Sequence, residues 1–316
     1  KMLPFISVII PTYNRSNILK QTIESVLSQT YKNFELLILD DCSTDETELL
    51  ISQIFDPRIK YIRNLCNLGF VSNWTYGVRL ASGDYLAILG DDDLYRPDFL
   101  SNRVKVFQAN PDLLAVAGSY EYCDINNNII NRSRTYIKSN KIIEKKDLVD
   151  FALGFTGDWF NGATLYKSSA YKVAWQEVTF AGTALDLGMH IHLSLQPAAK
   201  IVNLSTFDML LRVHSGQESQ KNNLKLAENS AIMAFKYCHF RINPEKLYII
   251  KFRKKFSVDI NHYGRMLWDC GQIKNSRSIF FNELIISPLN WKTRIRLLRT
   301  YVVALAPSIF KSRISK

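Results

Sequence analysis

Short apolar runs open the chain, separated by polar stretches whose own apolar residues recur at helical spacing. Phe5 to Ile10 is rich in β-branched residues and stops at Pro11, which predicts a buried strand. Ile18, Ile23, Val26 and Leu27 share one face of a predicted helix over 18–27. Phe34 to Leu39 reads as a second buried strand, ending in Asp40-Asp41. Ser43 followed by Glu46 is a capping-box pattern that predicts a helix through about Phe55. A third strand is expected over Ile59 to Ile62, and a helix from Val71 to Ala81 that Gly83 stops. A fourth strand, Asp84 to Leu89, runs into Asp91-Asp92-Asp93.

This alternation predicts an α/β fold with a mostly parallel twisted sheet flanked by helices, and such sheets bind ligands at the carboxyl ends of their strands. Three of the expected strands end in polar sets: Thr12-Tyr13-Asn14-Arg15, Asp40-Asp41 and the aspartate triplet. Beyond about residue 115 the pattern is mixed. Leu113 to Val116 and Ser119 to Cys123 read as two strands, Asn126 to Asn128 as a turn, and Lys138 to Lys146 as a polar, basic loop. Asp147 to Leu153 reads as a short helix, Leu185 to Leu195 as a helix that Pro197 ends, and the region from Lys221 onward as mainly helical.

With 47% hydrophobic and 22% charged residues among 316, the composition is that of an ordinary globular chain with room for one large domain or one domain plus an appendage. No window resembles a membrane span of about 20 apolar residues, and the start passes directly into a strand. The expectation is therefore a protein of the cytoplasm, or peripheral on the inner face of its membrane. The five cysteines are widely spaced and form no CxxC pair, so reduced thiols are expected rather than a zinc site or disulfide framework. Charge divides the chain more sharply. Residues 1–219 carry 21 Lys+Arg and 24 Asp+Glu, a net of −3, whereas 220–316 carry 19 and 5, a net of +14. A slightly acidic body thus bears a basic tail suited to polyanions.

Asp91, Asp92 and Asp93 repel one another, and a divalent cation of the magnesium or manganese type would make their clustering tolerable. A solvated acidic turn before a helix near Asp98 explains them equally well. Asp40-Asp41 could accept hydrogen bonds from a base or ribose, or form an Asx turn into the next helix. Neither GxGxxG nor a Walker A sequence is present, which disfavours a dehydrogenase or a P-loop enzyme.

Four stretches together resemble family-two glycosyltransferases of the GT-A fold: SVIIPTYNR (Ser7 to Arg15), SVLSQTYKNFELLILDDCSTD (Ser25 to Asp45), NLGFVSNW (Asn67 to Trp74) and SGDYLAILGDDDLYRPDFL (Ser82 to Leu100). Order and spacing match as well as content, over about the first hundred residues. The resemblance implies that Pro11, Thr12 and Tyr13 line the nucleotide base and that Asp41 bonds the base edge, usually uracil. Arg15 and Asn73 join them as donor-binding positions. The triplet resembles the family's DxD element, with Asp92 as the metal-binding aspartate, Asp91 toward ribose or metal, and Asp93 beside them. Gly90 stands where the family often has the first Asp of DxD.

Trp159, Asn161 and Gly162 resemble the acceptor-side loop. Leu185-Asp186 resembles the family's ED pair, Leu185 replacing the glutamate, which implies Asp186 as catalytic base; an aspartate capping a helix would also stand there. Arg212-Val213-His214 resembles the late RxH motif, whose histidine reaches the metal or diphosphate. The implied whole is a GT-A domain over 1–219, with a nucleotide-sugar half at 1–115 and an acceptor half at 116–219, and a C-terminal helical extension over 220–316. The implied reaction is inverting, metal-assisted transfer from a nucleotide-diphosphate sugar, with UDP favoured, to a saccharide or lipid-linked saccharide, as in polysaccharide and cell-envelope synthesis.

Asn290 to Lys316 holds seven basic residues and no acidic one, and Trp291, Ile295, Leu298, Val302 and Leu305 form one helical stripe. That pattern suits an anionic membrane surface, or packing against the chain's own body. No nucleic-acid partner is expected, since the body is slightly acidic and carries no such motif. Two competitors remain: a nucleotide-sugar-binding protein without catalysis, which Leu185 favours, and a nucleotidyltransferase, which would need a glycine- and lysine-bearing phosphate loop where Pro11 to Arg15 stands.

Overall fold

The structure, a computed structural model, describes residues 3–135, 139–178, 185–214 and 217, with short helical pieces at 260, 262–267, 276–277 and 279–280. Contacts divide the chain into two compact units, Lys1–Phe180 with Leu185–Ser215, and Ala181–Ala184 with Gly216–Lys316. In the second unit the described pieces from 260 onward are helical, and the Ser276 hydroxyl donates to the Gly264 carbonyl at 2.7 Å. The basic stripe over 290–316 lies outside the described residues. No helix among the described residues is long and apolar enough to cross a membrane.

The first unit is built on one sheet. Strands β1 (Ile6–Thr12), β2 (Phe34–Asp40), β3 (Ile59–Arg63), β4 (Tyr85–Ile88), β5 (Leu94–Tyr95), β6 (Ala115–Cys123), β9 (Thr164–Lys167) and β10 (Lys200–Arg212) lie in the order β3-β2-β1-β4-β9-β6-β10-β5. β7 (Ile129–Arg132) pairs with β6, and β8 (Ile142–Glu144) with β10. The first four strands in that order are mutually parallel, and β9 is antiparallel to both of its neighbours. Helices α1 (Ser16–Leu27), α2 (Thr47–Ser52), α3 (Phe70–Leu80), α4 (Phe99–Ala109), α5 (Lys145–Ala152), α6 (Ser168–Val178) and α7 (Leu185–Ser194) complete the unit. β2 is buried along its whole length, as a continuous apolar run in a parallel sheet requires. Its side chains join those of β1, α1 and α4 in the main core.

The expected capping box does not form. Ser43 Oγ instead accepts the Asn14 N–H at 2.9 Å, and Asp45 takes over capping. One Asp45 oxygen accepts the Ser16 N–H at the start of α1, and the other accepts the Thr47 N–H at 3.1 Å and hydroxyl at 2.6 Å. One carboxylate thus serves two helix N-termini, and α2 starts at Thr47 rather than just after Ser43. The two strands expected over 113–123 are one, running through Gly118. A Cβ at Gly118 would lie 2.3 Å from Arg103 Nη2, so glycine there admits the buried guanidinium. The basic loop expected over 138–146 contains β8 and the start of α5. β10 is longer than anything read there from the sequence, because register shifts at Leu204/Phe207 and Phe207/Leu210 break its alternation.

Two buried networks hold the sheet. Arg103, fully buried on α4, donates to Asp208 Oδ2 of β10 at 2.9 Å, to the Phe99 carbonyl at 3.0 Å and to the Ala163 carbonyl at 2.9 Å. At the amino ends of β1 and β2, the buried Glu35 carboxylate accepts from Ser7 Oγ at 2.6 Å, Lys60 Nζ at 2.7 Å, and Ser82 N–H and Oγ at 2.9 and 2.8 Å. Desolvation pushes its carboxyl up, but the bonds from Lys60, Ser7 and Ser82 win and hold it at about 2, against an ordinary 4.5. A depressed folded-state value gives stability that is present above 4.5 and lost as pH falls toward 2. Glu35→Gln should therefore cost about 1–3 kcal/mol at neutral pH. In denaturant melts the variant should lose less stability than the parent across that acid window, and parallel pH dependences would refute the assignment.

Candidate active site

The strand register sets Thr12 beside Asp40 and Asp40 beside Arg63, while Leu89 N–H donates to the Ile9 carbonyl at 2.9 Å. The three polar sets therefore gather at the carboxyl ends of β1, β2 and β4. Pro11 and Thr12 end β1, and Tyr13 and Arg15 lie in the loop before α1, with Tyr13 46% exposed. Asn14, in the left-handed region at φ 52°, ties this loop to the next: its Oδ1 accepts the Thr44 N–H at 2.8 Å.

Asp41 is buried and its carboxylate is heavily bonded. Oδ1 accepts from Asn64 Nδ2 at 2.9 Å and the Leu68 N–H at 2.8 Å, and Oδ2 accepts the Gly69 N–H at 2.9 Å. Asn64 also donates to Asn73 Oδ1, and Asn73 Nδ2 donates to the Leu39 carbonyl, both at 2.9 Å. Asn73, expected from the resemblance at the donor, is thus buried beneath the loop with both ends of its amide engaged. Asp41 acts on that loop as its anchor.

The aspartates of the triplet point to different neighbours. Asp91 is half-buried; burial pushes its carboxyl up to about 7, aided by the Asp92 charge and opposed by the Thr12 hydroxyl, Arg15 and the Tyr13 N–H. Asp92 Oδ2 lies 3.0 Å from His214 Nε2, joining positions 122 residues apart. Asp93 is turned inward, where Oδ1 accepts the Arg212 N–H at 3.1 Å. Burial, with the Asp92 charge beside it, holds Asp93 well above the usual carboxylate range. Asp93, one of the metal positions that the resemblance implies, seats the end of β10 through this bond. Gly90 lies beneath this turn: a Cβ there would stand 3.0 Å from Asp92 Oδ1 and 3.1 Å from Asp93 Oδ2. An aspartate at position 90 would crowd a third carboxylate into the same space.

Among the described residues no three His, Cys, Asp or Glu side chains are gathered as a metal site. Asp92 and His214 together do fit a cation of the magnesium or manganese type, which takes one or two protein ligands and completes its shell with water and phosphate oxygens.

On the other half of the sheet, Trp159 is buried: its indole stacks on His190, with centroids 4.1 Å apart, and donates to Thr164 Oγ1 at 3.2 Å. It stands two residues before Asn161 and packs into the core. Burial holds the His190 imidazole down at about 3, and its Nε2 meets the Tyr166 hydroxyl at 3.0 Å. The Gly162 carbonyl accepts the Tyr95 hydroxyl at 2.9 Å, so a residue two beyond Asp93 holds the loop that carries Asn161. Asp186 stands in the first turn of α7, half-buried. Burial pushes its carboxyl up to about 7 against a hydrogen bond from the Asn161 side chain. Leu185, in the family's glutamate position, is in the core.

Gln21, Asn64, Tyr95 and Asn127 also shape the site. Arg212 Nε donates to Asn127 Oδ1 at 3.0 Å and its Nη2 to Gln21 Oε1, locking the end of the strand that leads to His214. Single polar residues of this kind carry no periodic signal, and their partners are distant in the chain.

The sequence profile of glycosyl transferase family 2 matches residues 7–172. An uncharacterized glycosyltransferase of Haemophilus influenzae is 32% identical over 165 residues, 52% of this chain and 62% of the relative. The UDP-Glc:alpha-D-GlcNAc-diphosphoundecaprenol beta-1,3-glucosyltransferase WfgD of Escherichia coli is 32% identical over 149 residues, 47% of this chain and 57% of the relative. The chain therefore spans about three fifths of the length of these relatives. The crystal structure of S. aureus TarS 1-349 aligns with a TM-score of 0.68 at 16% identity, covering 94% of this chain and 88% of that one, and its complex with UDP aligns at 0.64 and 15%. At such identity the likeness concerns the fold, which is of GT-A type.

The Asp41 anchor gives the first test of the site. Asp41→Ala should speed hydrogen exchange at the Leu68 and Gly69 amides about 5- to 150-fold, the loss of roughly 1–3 kcal/mol of bonding. Unchanged protection of both amides would mean that the loop is held by something else.

Proposed function

The chain belongs to glycosyl transferase family 2, and on that premise we propose that it is an inverting glycosyltransferase using a UDP-sugar donor and a saccharide or lipid-linked saccharide acceptor. The observation that carries the reading is the contact of His214 with Asp92 at the carboxyl end of β4. It brings the late motif onto the aspartate triplet within a GT-A fold. Support for UDP comes from the S. aureus TarS structures, which include complexes with UDP and UDP-GlcNAc. Support for a lipid-linked acceptor comes from the E. coli relative, whose name specifies a diphosphoundecaprenol acceptor.

Pro11, Thr12 and Tyr13 line the base, and Asp41 holds the loop 64–69 beside it. Asp92 and His214 would hold a divalent cation, which would supply charge neutralisation to the departing diphosphate. Asp186 stands at the acceptor. As the acceptor oxygen attacks the anomeric carbon from the face opposite the diphosphate, Asp186 takes the hydroxyl proton while the bond from that carbon to the phosphate oxygen breaks. One displacement without a covalent intermediate inverts the anomeric configuration. A carboxyl pushed up to about 7 is matched to this task near neutral pH, where general-base help is worth roughly 10²–10⁴ in rate. The proposed organisation is a catalytic domain over 1–219 and a basic extension over 220–316, whose stripe at 290–316 meets anionic lipid where a lipid-linked acceptor resides.

With manganese and a panel of nucleotide sugars, nucleoside diphosphate should be released from one donor. Asp92→Ala and Asp186→Asn should each lower that rate by at least about 10²-fold. Tight nucleotide binding without release from any donor would favour the non-catalytic binder. The Asp186 base is active when deprotonated, so kcat/KM should rise with pH through about 7 and level off above it. The residual rate of Asp186→Asn should lack that limb; if it keeps the limb, another group is titrating.

A further inference from the structure

Asp186 must change its hydrogen-bonding character during the reaction. An ionised carboxylate only accepts, whereas the same group carrying the acceptor's proton must donate. Asn161 is placed to meet both needs. Its side chain is 2% exposed, donates at 3.5 Å to the Tyr171 hydroxyl on α6, and faces Asp186, whose carboxyl it favours in the ionised form. Its Oδ1 is buried with no hydrogen-bond partner among the described residues. An unpartnered buried carbonyl oxygen is costly, so its retention beside the base calls for a role.

We infer that Asn161 and Tyr171 form a positioning pair for Asp186, the amide serving the carboxylate in both of its protonation states; this rests on Asp186 being the base. With Asp186 ionised, Nδ2 supplies one N–H to the carboxylate and one to Tyr171. Once Asp186 has taken the proton, a half-turn of the amide puts Oδ1 where Nδ2 stood. There it accepts from the new Asp186 O–H and from Tyr171, whose hydroxyl can donate as well as accept. No heavy atom outside the amide need move. Besides this pair, Tyr166 on β9 faces Asp186, and His190 on α7 itself is bonded to Tyr166.

The test uses the full chain and follows nucleoside diphosphate release against pH. Tyr171→Phe removes one hydroxyl, and should lower kcat about tenfold with donor KM unchanged. It should also move the acid limb up by about one pH unit, as the N–H aimed at the ionised carboxylate loosens. Tyr166→Phe removes an equally buried hydroxyl facing the same carboxylate but not bonded to Asn161, and should leave the limb in place. If Tyr171→Phe does not fold, Asn161→Ser carries the same expectation. A fall in kcat with an unmoved limb, or equal shifts in both tyrosine variants, overturns the pair. Full activity in Asp186→Asn overturns the base itself, a separate result.

Discussion

Three consecutive carboxylates cannot share one low-dielectric pocket in their charged forms, and the turn after β4 separates them by direction. Asp91 looks back to β1, Asp92 meets an imidazole, and Asp93 is driven inward onto a backbone N–H. Much of the surrounding structure follows from that division. Glycine at position 90 keeps the space beneath the turn open, and β10 must end where its Arg212 N–H can meet Asp93. Gln21 and Asn127, themselves in contact at 3.5 Å, then hold the Arg212 guanidinium through its Nη2 and Nε.

The buried Arg103–Asp208 pair fixes the same strand four residues before Arg212. A buried ion pair adds little net stability over a well-packed apolar substitute, because both charges lose water. Its worth here is positional. The guanidinium reaches Asp208 on β10 and Ala163 in the loop beside Asn161, while the Tyr95 hydroxyl holds Gly162 in that loop. The loop that carries Asn161 is thereby referenced to the same strand that brings His214 to Asp92.

The first hundred residues were legible because their elements are short, buried and bounded by strong breakers. The run of Phe34 to Leu39 and the periodicity of Ile18, Ile23 and Val26 need no distant partner to be recognised, and both elements formed as expected. Ser43 and Glu46 misled because Asn14, far from them in sequence, claims the serine, and Asp45 caps two helices at once. β10 escaped notice because its bulges cancel the alternation that marks a strand. Among site positions, the aspartates were visible as a cluster, whereas the inward turn of Asp93 and the burial of Asn73 and Trp159 depend on partners that only tertiary structure supplies. The sequence presents Asp41 as a base ligand or a turn residue; its three N–H donors come from the segment 64–69, which carries no mark of that pairing.

The separation of 122 residues between Asp92 and His214 also orders events during synthesis. At the roughly 5–20 residues per second of translation, the aspartate turn precedes its histidine by roughly 6–24 s. Throughout that interval Asp93 lacks the Arg212 N–H, and β5 lacks β10, its partner strand. The parallel half of the sheet can assemble on the ribosome, but the turn that ends β4 stays an unfinished acidic loop until β10 arrives. Assembly of the centre therefore coincides with the closing of the sheet, so a chain stopped before β10 carries the aspartates without the geometry that makes them a site.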